Sequence, residues 1–170
     1  EAIMKFNDPQ SRAVLLGEKI FNENELNSRI EVELEKFTKK VQIESRVLGD
    51  LAINHIVPIA VIYENRLMKN LHYMKELFGE EEYQKMGTDR KELVREIQHR
   101  ILSIKKEVKD MTEARKTANH LDNDIDKAFS YSKHVCPYLE VIRDHIDHLE
   151  LEIDDEIWPL PKYRELLFTQ

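Results

Sequence analysis

Histidines and carboxylates three or four residues apart on one helix can bind a metal, and Asp144-His145-Ile146-Asp147-His148 has that spacing. A di-metal helical bundle needs more: a Glu-x-x-His element on each of two helices, plus two further glutamates. That element occurs once, as Glu96-Ile97-Gln98-His99, so the histidine run reads as a solvated helix face. Asp122, Asp124 and Asp126 match the first three ligands of a calcium loop, but Lys127 replaces its glycine and Lys133 its bidentate glutamate. Acids at a helix start, favoured by the macrodipole, account for the trio. Cys136 has His134 two residues away, which puts them on different helix faces. Standing directly before Pro137, that cysteine reads as a small packed residue rather than a nucleophile. His55, beside Asn54, reads as a polar core residue bonding a carbonyl that Pro58 leaves free. None of the 4 glycines is paired as a phosphate loop requires. No complete catalytic set results, and neither a metal nor a cofactor site is expected in this chain.

The elements that must carry these residues follow from composition. Of 170 residues 35% are charged, while glycine and proline are scarce, which favours long solvated helices. A net charge of -7, with basic residues scattered among acids, argues against nucleic acid as a partner. One cysteine rules out an internal disulfide framework and fits a reducing compartment. No apolar run approaches the roughly 18–20 residues of a membrane span, so no membrane partner is expected. The first residue is Glu1 rather than Met, and the chain reads as a piece excised from something longer.

Asp8-Pro9 predicts a helix start and a short helix over residues 10–21, followed by a polar corner at 22–27. From Ser28 apolar residues recur at three- and four-residue steps to Phe78, with Gly79 as the stop: Ile30, Leu34, Phe37, Val41, Leu48, Leu51, Leu67, Leu71 and Met74. Pro58 lies inside this stretch and predicts a kink. After a link at 80–88, a second long helix runs over 89–120 on Leu93, Ile97, Ile101, Ile104, Val108, Met111 and Ala118. Asp122-Asn123-Asp124 turn the chain into a third, ending near Asp154, on Ile125, Ala128, Ser132, Val135, Leu139, Ile142, Ile146, Leu149 and Ile153. The fold class is all-α: residues 1–170 form a single helical domain, an antiparallel bundle of three long helices. The first helix is kinked and overhanging, and a short N-terminal helix and a docked C-terminal tail complete the chain.

The overhang follows from length. At 1.5 Å per residue the first long helix spans about 75 Å and the other two about 48 Å each, so residues 28–46 outrun their neighbours. Ile30, Leu34, Phe37 and Val41 then form an apolar stripe that wants a partner; the short first helix and the tail can cover part of it, and the rest would face another domain or subunit. Trp158, Leu160 and Tyr163 in the tail either dock on the bundle or join that interface.

Three strings go beyond periodicity. Val41-Gln42-Ile43-Glu44-Ser45-Arg46-Val47-Leu48-Gly49-Asp50, running on to Asn54-His55-Ile56-Val57-Pro58, resembles the C-terminal region of type III glutamine synthetases. So do Met111-Thr112-Glu113-Ala114-Arg115-Lys116-Thr117-Ala118-Asn119 and the ending from Asp154-Asp155-Glu156-Ile157-Trp158-Pro159 through Phe168. Tyr63-Glu64-Asn65 departs from the tyrosine-glutamine pair expected there. The resemblance implies a larger cytoplasmic parent that makes glutamine from glutamate, ammonia and ATP with a divalent metal, magnesium. Its catalytic carboxylates would lie upstream, so no catalytic residue is carried over. The implied partners are the upstream catalytic domain and neighbouring subunits of the parent oligomer. Without a parent, the pattern reads as a free-standing helical interaction module.

Overall fold

Several helices begin or bend at a proline, a glycine or a capping side chain. The computed structural model describes residues 2–162, 165 and 167, and all their regular structure is helical. Pro9 opens α2 (Pro9–Gly17) behind Asp8, whose backbone is extended but whose side chain makes no capping bond. A four-residue α1 (Ala2–Lys5) precedes it. The expected polar corner at 22–27 is instead a helix start: the Glu25 N–H donates to Asn22 Oδ1 at 2.9 Å and the Asn22 N–H donates to Glu25 Oε2 at 2.9 Å. This reciprocal box satisfies two donors that a helix N-terminus leaves open. From it runs α3 (Glu23–Leu51).

Both internal prolines follow a widened turn. Ala52–Ile56 is a π turn, closed by the Val57 N–H bonding the Ala52 carbonyl, immediately before Pro58. Tyr131–Val135 is another, closed by the Cys136 N–H on the Tyr131 carbonyl, immediately before Pro137. The i→i−5 bond bridges the step at which proline offers no N–H. Helix α4 (Val57–Met86) continues past Pro58. Gly79 breaks α4 rather than ending it: its φ of 75° and ψ of -179° are non-helical, and the helix resumes to Met86. The expected link at 80–88 is therefore mostly helical. Helix α5 (Thr88–Asn119) matches the predicted second helix closely. Asn123 caps α6 (Asp124–Ser130) by accepting from the N–H groups of Ile125 and Asp126, and α7 (Cys136–Glu152) follows the second π turn.

The chain groups into two compact units, Glu1–Ser45 with Thr112–Pro137, and Arg46–Met111 with Tyr138–Gln170. In the first, Leu26, Ile30, Leu34 and Ala128 form a core on which Ile3, Leu15, Leu16, Phe21 and Phe37 pack. In the second, Ala52, Ile56, Ala60, Leu71 and Met74 are buried, as are Ile97, Ile101 and Ile104 of α5 and Ile142, Ile146 and Leu149 of α7. Direction within this second unit is readable from its contacts. A Cβ on Gly49 would touch Val108 and Met111, one on Gly87 would touch Leu71, and Arg90 reaches the Met74 sulfur. Position 49, before Pro58, meets 108 and 111, whereas 71 and 74, beyond it, meet 87 and 90, so the stretch from Gly49 through α4 runs antiparallel to α5. The tail docks here too: Trp158 is buried, and the Lys162 ammonium donates to the Glu150 carbonyl at 2.6 Å and pairs with Asp155. That cation sits where the α7 carbonyls carry partial negative charge.

The predicted stripes differ in detail. Ser132 is exposed and its neighbour Tyr131 takes the inward place, while Ile125 is exposed at 36%. A 3-then-4 step through Tyr131 serves the core as well as the reverse order does, and the large ring buries more area than a serine.

Candidate functional site: polar contacts and partner faces

In the first unit, two of the strings singled out in the sequence meet through polar side chains. Ser45 is fully buried; its hydroxyl donates to the Gln42 carbonyl at 3.0 Å and lies 3.5 Å from an Arg115 guanidinium nitrogen. The buried Tyr131 hydroxyl donates to Asn119 Oδ1 at 2.7 Å, and the Gln42 amide approaches the same oxygen at 3.4 Å. Periodicity gives Ser45, Gln42 and Asn119 no role, because polar residues on a helix default to solvent. A second hub is Arg12, whose guanidinium bonds Asn7, Asn27 and Glu23 at 3.1, 2.8 and 3.2 Å. These groups fix helices relative to one another; they supply hydroxyls and amides already committed to partners.

The second unit holds the titratable cluster. His99 and Arg100 on α5 face His145 and Glu152 on α7, with the two imidazole centroids 6.3 Å apart and the Arg100–Glu152 pair at 4.0 Å. Arg100 Nε, His145 Nδ1 and Glu152 Oε2 are buried without a hydrogen-bond partner. Burial, then the Arg100 charge, holds the His145 imidazole below its usual range, with Asp144 partly opposing. Burial raises the Glu152 carboxyl above its usual range, Arg100 pulls the other way, and Glu96 adds to the rise. In the run 144–148, Asp144, Asp147 and His148 are solvated, Ile146 is buried and His145 is half-buried; His148 bonds the Asp144 carbonyl at 2.7 Å. Among the described residues no group of three or more His, Cys, Asp or Glu side chains is arranged to hold a metal ion. His55, read as core, is exposed, and the π turn around it is closed by backbone alone, the Val57 N–H on the Ala52 carbonyl.

The seven residues expected to meet a partner fare differently. Ile30, Leu34 and Val41 are buried at 7%, 4% and 4% exposure, and Phe37 is half-buried. The stripe is covered by this chain's own residues: Ile3, Leu15 and Leu16 from α1 and α2, Phe21, and Ala128 from α6 pack around its first part. The short helix at 10–21, expected to cover part of the stripe, supplies Leu15, Leu16 and Phe21 to that cover. Trp158 is buried and Leu160 half-buried, while Tyr163 lies outside the described residues. What the stripe leaves at the surface is a groove of about 910 Å³ lined by Ile3, Met4, Pro9, Phe37, Phe129 and their neighbours, with Phe129 exposed at 63%.

A family model described as the glutamine synthetase C-terminal domain matches residues 1–75. A glutamine synthetase of Bacteroides fragilis (strain YCH46) is 72% identical over 170 residues, which is 100% of this chain and 23% of that protein. A type-3 glutamine synthetase of Dictyostelium discoideum is 24% identical over 180 aligned positions, again 100% of this chain and 23% of the relative. A glutamine synthetase of Butyrivibrio fibrisolvens is 24% identical over 151 residues, covering 88% of this chain and 21% of its own length. The chain therefore spans less than a quarter of the proteins it matches.

Proposed function

Since this chain belongs to the glutamine synthetase C-terminal domain family, we propose that it is the helical scaffold of a type III enzyme and takes no direct part in the chemistry. The whole polypeptide then ligates ammonia to glutamate in the cytoplasm, using ATP and magnesium bound by the portion upstream. The helical domain holds that catalytic portion and neighbouring subunits in place. One observation carries the reading: identity of 72% over every position of this chain, to a protein of which it makes up 23%. The polar side chains described above fit it, since Ser45, Arg115, Asn119 and Tyr131 are committed to packing one helix on another.

Two preparations test the proposal. The chain 1–170 alone, supplied with glutamate, ammonia, ATP and magnesium, should form no glutamine. The long polypeptide truncated at the position before residue 1 should lose its assembled mass in sedimentation, and with it turnover. Glutamine formation by the chain alone, or unchanged mass and turnover after truncation, overturns the scaffold role.

A further inference from the structure

Within a chain that is 35% charged, residues 51–63 carry no Asp, Glu, Lys or Arg at all. This run, Leu51-Ala52-Ile53-Asn54-His55-Ile56-Val57-Pro58-Ile59-Ala60-Val61-Ile62-Tyr63, lies wholly in the second unit and includes the first π turn. A helix solvated on one side normally places charge there. Here the inward positions Ala52, Ile56, Val57 and Ala60 are buried, yet the outward ones are Asn54, His55, Pro58, Val61 and Ile62. Val61 and Ile62 are 38% and 48% exposed, and Val47, one turn before the run, is 52% exposed. A helix apolar on both sides is the mark of an element buried on both sides.

Three occupants are chemically able to cover such a face. The helix 23–86 is long and apolar enough to cross a membrane by length and composition, and only 28% of its most apolar stretch is buried. The uncharged run, however, rises only about 20 Å, short of a hydrocarbon core of about 30 Å, and places Asn54 and His55 at its centre. A second copy covers this face only where the symmetry of an assembly sets two such faces against each other. The remainder of the same polypeptide, about three quarters of the length in relatives of which this chain forms 23%, is tethered to it. A tether holds a partner at an effective concentration on the order of millimolar.

We infer that the outward face of residues 47–62 is the seat of the upstream portion of the same glutamine synthetase polypeptide. Val47, Val61 and Ile62 provide the apolar contact, and His55 with the Asp50–Asn54 pair, whose amide donates to the carboxylate at 2.6 Å, the polar groups that fix its register. The inference rests on the proposed scaffold function and adds the surface through which it acts. It moves the docking face away from the buried stripe at Ile30, Leu34 and Val41.

The test places the photoreactive residue benzoylphenylalanine at position 62 of the full-length polypeptide, followed by irradiation and peptide mapping. Adducts should land on peptides upstream of residue 1, in yield roughly tenfold above the same probe at Lys36, whose side chain is 66% exposed. With the probe at position 47, Ile62→Glu should cut that yield roughly tenfold, the loss expected when one aliphatic side chain can no longer be buried. Ile62 projects outward, so this change leaves the core of its own unit intact. Adducts confined to residues 1–170 of an isotopically distinct copy, adducts to lipid, or a yield no higher than at Lys36 each overturn the inference. The two claims separate cleanly. If the long polypeptide makes glutamine but position 62 gives no upstream adduct, only the docking face falls; if no upstream synthetase portion exists, the scaffold reading falls first.

Discussion

Replacing Gly79 by alanine isolates backbone strain from packing. The residue sits at φ 75° and ψ -179°, a combination open to glycine and almost closed to residues with a Cβ. A Cβ built there meets nothing within 4 Å, so no steric clash adds to the cost. Holding alanine in this region costs about 1–3 kcal/mol. Restricting the unfolded chain returns about 0.4–1 kcal/mol. The net expectation is a loss of about 1–2 kcal/mol, or a Tm lowered by about 3–6 °C for a chain of this size. Gly17→Ala is the control: it too has open space within 4 Å, but ends α2 without a positive φ. It should gain about 0.4–1 kcal/mol. Thermal and urea unfolding of both variants, followed by far-ultraviolet circular dichroism, give the comparison. If Gly79→Ala matches or exceeds the parent, α4 has run straight through position 79 and the break is not a fixed property of the fold.

Ile104 is fully buried, and Ile104→Ala should lose about 2–5 kcal/mol in urea unfolding with an unchanged m-value. Leu151, at 85% exposure, should tolerate alanine within about 0.5 kcal/mol. Tyr131→Phe removes a hydroxyl that bonds Asn119 at 2.7 Å and should cost about 1–3 kcal/mol by the same measurement. The His145 imidazole, facing Arg100, His99, Glu107 and Asp144, is held below its ordinary range, so the unfolded chain takes up its proton first as pH falls. Stability from this group is complete above about pH 6.5 and is lost below it. Glu152 works in the opposite sense: its raised carboxyl weakens the fold as pH rises through its folded value, and that penalty is gone below about pH 4.5. His145→Gln should therefore flatten the fall in urea midpoint between about pH 6.5 and 5.5, and an unchanged slope removes His145 as its source.

The long helices were legible because their apolar residues repeat at the period of a bundle: Ile97, Ile101, Ile104, Ile142, Ile146 and Leu149 are all buried as the stripe requires. Helix starts written in side chains were legible only where they were sought. Asp122-Asn123-Asp124 reads as the turn into a helix and Asn123 caps it, whereas Asn22 with Glu25, which has the same chemistry, reads only as a corner. Of the cover over Ile30 and Leu34, α2 was legible from Asp8-Pro9, but the four-residue α1 that brings Ile3 there carries too few residues to show a period. Polar partners such as Ser45 with Arg115 lie 70 residues apart, and no spacing rule connects positions that meet only through tertiary packing. Prolines 58 and 137 announced a disturbance in their helices, but not its form. A kink and a π turn answer the same missing donor, and local sequence does not choose between them.

That form bears on how the chain tolerates change in length. A π turn accommodates one residue more than the α-helix would use to join the same two ends. Deleting a single residue within 52–56 or 131–135, with the proline replaced, would relax the turn into ordinary helix and leave every downstream side chain aimed as before. The same deletion elsewhere in these helices would rotate all that follows by about 100°, carrying the inward row to solvent. The two widened turns are thus the places where a lineage could gain or shed a residue without rebuilding the core.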